Sequence, residues 1–393
     1  MKRIAIPLLL SLSLLLSGCQ NTDTGSNGGD SASTGAESVA VIDTAALFSD
    51  RDLDGSYDES AAVHIQLEGE TAVCDSDAVS IDGSRITLLD EGTYLVSGAL
   101  TDGQIVVDAG DTDKVQIVLA SASLTCADSA AIYSKSADKV FLTLAEGTEN
   151  TLTNGGSYTA IDKNNIDSVV FSKTDLTLNG SGSLTIDAQA GHGVVSKDEL
   201  TINGGTFTVD SVDDCLHSGG ALAVTGGTFT LSSGDDAIHS DDAVTIRAGE
   251  FSIPYCYEGV EGLSVTVEGA AFDVIAHDDG FNAAGGADSS GFGGRDEPFA
   301  ASEDSFITVN GGTITVVSDG DCLDSNGDLT VNGGTLDLTC NGNGNTALDC
   351  SGSYTNNGGS VTTNDGSETN SGGRSGNRLE EEREPLPSGR PKA

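Results

Sequence analysis

Tryptophan is missing from the 393 residues, and aromatic side chains make up only 5% of them. That scarcity argues against a broad platform of stacked aromatic side chains. Positive charge is also scarce: 17 Lys and Arg face 61 Asp and Glu, for a formal net charge of −44. Such a chain repels nucleic acid and anionic lipid surfaces, which are polyanions themselves. Cations and neutral sugars remain compatible partners, whereas acidic sugars need bridging cations. No lysine stands between Lys197 and Lys392. No CxxC occurs, so zinc and redox motifs lack support. Beyond Cys19 the cysteines are Cys74, Cys126, Cys215, Cys256, Cys322, Cys340 and Cys350. Their odd number and wide spacing make a poor disulfide framework. Cys215 and Cys322 stand where sister repeats carry Ala237 and Ala347, so they read as small core residues.

The ends have their own signals. MKRIAIPLLLSLSLLLSGC pairs a basic start with an apolar run too short for a comfortable membrane span, the pattern of an export signal over residues 1–19. Leu16-Ser17-Gly18-Cys19 resembles the lipobox of bacterial lipoproteins, which implies lipidation at Cys19. Gln20 is not aspartate, so the usual inner-membrane retention cue is absent. Residues 20–44 read as a flexible tether and 364–393 as a disordered tail. The expected location is the extracellular face of the cell envelope, on a lipid anchor only.

Between the ends lies a repeat. L-T-I-N-G-G-T-F-T-V from Leu200, L-A-V-T-G-G-T-F-T-L from Leu222 and V-T-I-R-A-G-E-F-S-I from Val244 align, as do segments from Ile307 and Leu329. Degenerate copies start at Leu176 and Leu263. Each holds two alternating apolar strands around a turn, and a short third strand such as A-I-H-S or C-L-D-S follows. Despite the 52 glycines and the acidity, strict alternation excludes disorder. A strand triplet about every 22 residues predicts an all-β, right-handed parallel β-helix, a three-stranded solenoid, because each strand buries its inward face only when coils stack. A propeller would need longer, aromatic-marked blades. The expected divisions are an N-terminal β cap over 45–114 and the helix over 115–363, about ten coils and about 45 Å long at the spacing of paired strands. Asn179, Asn203, Thr225, Arg247, Asn310, Asn332 and Asn356 align as a polar ladder in one turn. Two stretches depart from the period, 145–167 and the Gly-rich 284–305.

Aligning the third strands on Leu216, Ile238, Val260, Phe281 and Leu323 stacks acids. Two residues before these anchors stand Asp214, Asp236, Glu258, Asp279 and Asp321. Asp213, Asp235 and Asp278 precede them, and Tyr257 and Gly320 interrupt that outer row. One residue after the anchors come His217, His239, Glu261, Asn282 and Asp324, with Asp241, Asp242 and Asp319 on the same edge. Carboxylates one coil apart would stand about 5 Å from each other, costing about 3 kcal/mol per unshielded pair. Calcium, with its tolerance for irregular oxygen coordination, would remove that cost. Asp213, Asp214, Asp235, Asp236, Glu258, Glu261, Asp278, Asp279, Asp321 and Asp324 are therefore the candidate metal ligands. A second acidic stretch, S-D-R-D-L-D-G-S-Y-D-E-S at 49–60, has D-x-D-x-D-G spacing but ends at Ala61 where a calcium loop needs glutamate, and reads as a tight turn.

D-R-D-L-D-G-S-Y-D-E, G-T-Y-L-V-S-G-A-L-T-D-G-Q-I-V-V-D-A, S-A-D-K-V-F-L-T-L-A-E-G-T-E-N-T-L and the N-G-G-T repeats resemble the bacterial carbohydrate-binding β-helix lipoproteins, a family similar to the family 9 polysaccharide lyases. The resemblance covers about residues 45–363. It implies bound calcium and binding of cell-wall polysaccharide such as pectic polyuronates or cellulose, and it places the family's acidic turns on Asp213, Asp214, Asp235, Asp236, Asp278 and Asp279. The primary expectation is a non-catalytic, calcium-dependent binding protein without catalytic residues. Polyuronates would bridge through calcium, and neutral glucans would use exposed Tyr133, Tyr255, Tyr257 or Phe292; His217, His239, Lys197 and Arg247 are further ligand-binding candidates. One alternative is a pectate lyase. β-Elimination requires a base, and the candidates are Lys173, Lys197 and Arg247, with His217 and His239 as proton shuttles. The other is a structural surface protein or adhesin stiffened by calcium. A monomer is expected.

Overall fold

The computed structural model describes residues 48–283 and 304–369. The expected signal peptide with Cys19, the tether, Phe292 and nearly all of the Gly-rich excursion lie outside them. Three columns of parallel strands wind into a right-handed parallel β-helix. In the first column, Leu176, Leu200, Leu222, Val244, Val265, Ile307, Leu329 and Tyr354 stack in register. The second aligns Leu184, Phe207, Phe229, Phe251, Phe272, Ile314, Leu336 and Val361. The third aligns Val170, Val194, Leu216, Ile238, Val260, Phe281, Leu323 and Leu348. Strand alternation points these residues inward, and together they build one continuous core.

Equivalent positions repeat with the coil, so identical side chains stack. Phe207, Phe229, Phe251 and Phe272 form a file with ring centroids 5.3, 4.5 and 4.4 Å apart and planes within 9° of parallel. Cys215 and Cys322 are fully buried in the core, as their exchange with alanine suggests.

Parallel stacking starts before residue 115. Val63–Gly69 pairs with Gly92–Leu100, which pairs with Lys114–Cys126, and Arg85–Leu88 pairs with Gln104–Asp108. The segment expected as a cap is thus partly solenoid already, and its antiparallel portion includes the Val79–Asp82 hairpin with Arg85–Leu88. These early coils lack the N-G-G-T turn that marks the later ones, so the period is hidden there. The tail also departs from expectation at its start. Asn364 exchanges hydrogen bonds with Cys340, Asp365 accepts from the Ala347 N–H at 2.9 Å, and Ser367–Thr369 forms a 3-10 turn.

Two excursions cover outward-facing strand surface. Residues 49–60 form a one-turn helix, Asp50–Leu53, capped by Ser49. It lies on the first column, where Asp52 pairs with Lys139 at 2.7 Å and accepts from Thr177 at 2.6 Å. Burial opposes charge on Asp52, but Lys139, Thr177 and Ser49 hold its carboxyl down to about 2. Residues 155–167 fold over the third column, where Tyr158 and Ile161 pack against Tyr133, Ile166, Phe171 and Val195. The polar ladder continues through Asn310, Asn332 and Asn357, each accepting from the next at 2.7 Å. Asn357, one residue beyond the expected Asn356, completes it because Asn356 pairs with Val331 in the strand.

Candidate functional site

The turn entering the third column carries the acids. Its outer row is fixed by backbone hydrogen bonds: Asp213 N–H to Gly191 O, Tyr257 N–H to Asp235 O, Asp278 N–H to Tyr257 O and Gly320 N–H to Asp278 O, at 2.8–3.0 Å. The expected vertical register is therefore present. Gly320 makes room for it, since a Cβ there would stand 2.3 Å from Asp279 Oδ1. The next row, Asp214, Asp236, Glu258 and Asp279, is buried. His217, His239, Glu261, Asn282, Asp324 and Asp349 pair in register along the strand itself.

Buried acids at this corner serve the backbone. Asp214 Oδ1 accepts from the Asp236 N–H at 3.0 Å, and Asp279 Oδ1 accepts from the Asp321 N–H at 2.6 Å. Asp321 does the same for Thr346 one coil on. A turn amide with no strand partner costs free energy when buried, and an aspartate one coil below satisfies it. Repulsion was the only consequence of stacking drawn from the sequence; this acceptor role offsets part of it.

The remaining charge is handled differently along the column. In the first coils histidines compensate. Asp214 Oδ2 lies 3.1 Å from His192 Nδ1 and 2.8 Å from His217 Nδ1. Burial disfavours the Asp214 carboxylate, but these two rings hold its pKa well below the usual range. His239 Nδ1 stands 2.9 Å from Asp236 Oδ2 and 2.7 Å from Glu261 Oε2. Burial works against the imidazolium, yet the two acids push His239 up to about 11. His217 and His239 stack at 4.7 Å with planes 2° apart.

Further along, the histidine ion pair among the described residues is His277 Nδ1 with Asp319 Oδ2 at 3.7 Å, on the outer edge rather than in the buried row. Asn282 donates to Glu258 at 3.0 Å, but burial and the charges of Asp236, Glu261 and Asp279 push Glu258 up to about 10. Burial and neighbouring acids raise Asp279 to about 8, and Asp321 and Asp324 to about 7 each. Asp321, Asp324 and Asp349 bring carboxylate oxygens within 4.8 Å of one another. An all-oxygen set suits a hard cation, whereas the histidine-bearing coils offer nitrogen, a poorer calcium ligand. The geometry thus favours the Asp321 end for calcium, while in the Asp214–Glu261 stretch histidines already do part of the neutralising.

Several expected ligand contacts fall elsewhere. Tyr133 is fully buried, because the 155–167 excursion covers it and its hydroxyl donates to Asp162 at 2.7 Å. It offers no surface to a glycan. Lys197 is exposed, lies 3.9 Å from Asp167 and sits over the Phe171 ring. Arg247 follows the strand Ala243–Ile246, a different corner of the coil from the acids, and lies over Phe48. Tyr257 stays in the outer acidic row, half-buried, and Tyr255 packs edge-on to His277. Among the described residues, the cationic partners shown for the acidic column are histidines.

His192 and Asp349 were missed in the sequence. Matching V-V-S at 194–196 to L-H-S at 216–218 would have set His192 over Asp214, and matching L-D-C at 348–350 to L-D-S would have set Asp349 over Asp324.

A solved structure of a polysaccharide lyase-like protein from C. thermocellum is 24% identical, with a TM-score of 0.45, covering 77% of this chain and 94% of that one. A carbohydrate-binding domain-containing protein of Acetivibrio thermocellus is 36% identical over 135 residues, 34% of this chain. That match spans 47% of the relative's own length. The family model for carbohydrate-binding domain-containing proteins matches residues 82–344 and 235–377. With that match running through nearly every coil, the chain belongs to the family of carbohydrate-binding domain-containing proteins.

Proposed function

We propose that this protein binds polysaccharide, without cleaving it, along its acid-rich turn, with calcium held at the Asp321, Asp324 and Asp349 end. Membership of the carbohydrate-binding family is the observation that carries the reading. The acid column supports the choice of surface. It is a long, regularly spaced edge, and it suits an extended polymer better than a small ligand. When bound, calcium supplies positive charge between the column and the carboxylates of an acidic glycan. Asp321, Asp324 and Asp349 would hold it, and Asp278 and Asp319 stand on the same edge. A lipid anchor at Cys19 would set this edge outside the cell, facing wall polysaccharide. Of the candidate bases, Arg247 lies at another corner of the coil, over Phe48, and the product assay below tests Lys173 and Lys197.

Affinity electrophoresis through polygalacturonate and through a neutral glucan, with and without calcium, tests the proposal. Absorbance is followed for unsaturated product. Calcium-dependent retardation in polygalacturonate without product is expected. Product formation would establish a lyase instead, and equal mobility in every gel would leave the structural or adhesin role.

A further inference from the structure

The first coils hold a donor set of another kind. His192 Nδ1, Asp214 Oδ2 and His217 Nδ1 converge from successive turns, the carboxylate oxygen standing 3.1 and 2.8 Å from the two nitrogens. The two rings are tilted by 45°, with centroids 5.1 Å apart, so they approach the carboxylate from different directions. Asp214 Oδ1 is committed to the Asp236 N–H, which fixes the carboxylate and turns Oδ2 toward the imidazoles. The Asp214 side chain is 5% exposed and the histidines 18% and 16%, enough for an ion to enter from the rim.

One contact in this set is frustrated. The Asp214 N–H donates to His192 Nδ1 at 3.1 Å, which requires a lone pair on that nitrogen. The same nitrogen faces Asp214 Oδ2 at 3.1 Å, which requires a proton on it. A single nitrogen cannot meet both demands. A cation held by Nδ1 and Oδ2 removes the need for a proton between those two atoms, and the Asp214 N–H gives up Nδ1 as its acceptor when the ion binds. His239 has no such conflict, because one protonated Nδ1 serves Asp236 and Glu261 together.

We propose that His192, Asp214 and His217 form a binding site for a borderline divalent transition ion of the zinc type, separate from the calcium site. Two imidazoles and one carboxylate form a donor set typical of such ions and unlike the all-oxygen set calcium takes. Ligand atoms on a tetrahedral zinc ion stand about 3.3 Å apart, given bonds of about 2.0–2.1 Å. The two carboxylate-to-nitrogen separations, 3.1 and 2.8 Å, come within about 0.5 Å of that value, and all three ligand atoms lie within 4.8 Å of one another. Four coil steps separate His217 from Asp324, about 19 Å at the spacing of paired strands. This site does not depend on the glycan-binding reading, and either can fail alone.

The test uses the full chain, stripped with chelator and titrated with cobalt(II) and then zinc. One cobalt per chain with a visible d–d band is expected, displaced by zinc and retained in hundredfold excess calcium. His192→Gln and His217→Asn should weaken binding at least tenfold. His217→Asn introduces the residue that the same column carries at Asn282, so the coil should accept it. His239→Asn, and Asp321→Asn with Asp324→Asn, should leave the band intact. A second readout needs no variant: zinc should protect His192 and His217, but not His64, from diethylpyrocarbonate in mass spectrometry. Absence of the band, its loss to calcium, or equal modification of His192 with and without zinc overturns the proposal.

Discussion

Replacing Asp324 with asparagine should stabilise the metal-free protein, the opposite of what removing a buried polar partner usually does. Burial and the charges of Asp349 and Asp278 raise the Asp324 carboxyl to about 7 from an ordinary 3.8. Below 3.8 both folded and unfolded chains keep the proton, and the group contributes nothing. Between the two values the unfolded chain releases a proton that the folded chain retains, so stability falls as pH rises. At about 1.4 kcal/mol for each pH unit, the full penalty above pH 7 is about 4 kcal/mol, an upper figure because neighbouring acids share it. Asn282 fills the equivalent position one coil earlier, so the amide fits the column. Urea unfolding in chelator should therefore show Asp324→Asn more stable than wild type by up to about 4 kcal/mol at pH 8, with the gain vanishing near pH 4. Added calcium should raise the wild-type midpoint and narrow or reverse that difference. A variant less stable than wild type at pH 8, or a gain equal at both pH values, would refute the electrostatic argument.

Three further perturbations address the parts that position the column. Phe251→Ala removes the middle of the phenylalanine file and should cost about 3–5 kcal/mol in urea unfolding, the range for emptying a large aromatic site. Asp52→Asn should cost about 3 kcal/mol by leaving Lys139 without its charge partner, with faster proteolysis between residues 48 and 62. Because the Asp52 carboxyl is depressed to about 2, its stabilisation is present above 3.8 and is lost as pH falls through 2, so the variant and wild type should converge in strong acid. Gly320→Ala forces a Cβ to within 2.3 Å of Asp279 Oδ1, and should lower the melting temperature and weaken calcium binding together.

Legibility in the sequence followed periodicity. Where a 22-residue unit repeats, strand register could be read residue by residue, and the pairings of His217 with His239 and of Asn282 with Asp324 follow directly. Where the turn signature decays, as in residues 63–114, parallel coils were read as a cap. Burial was harder to see. Tyr133 lies at an outward position of its strand, and only the irregular excursion over it removes it from solvent. No periodic argument predicts where a non-repeating loop comes to rest. The roles of the acids were also half visible. Stacking distance gives the repulsion between carboxylates, but the Asp214 bond to the Asp236 amide depends on side-chain direction, which spacing alone does not specify.

Those two roles bear on how the column carries its charge. A carboxylate is useful at this corner because it closes an open amide in the coil above, as Asp214, Asp279 and Asp321 do. Repulsion comes with it. The chain has two remedies in sequence along one edge: imidazoles at His192, His217 and His239, then a stretch where burial and like charge raise the carboxyls toward neutrality. Raised carboxyls are protonated in acid and ionised when a cation arrives, so cation uptake at the Asp321 end should release protons near pH 7. An acceptor ladder thus leaves, as a by-product of folding, a far end where clustered carboxyls are held above their usual range.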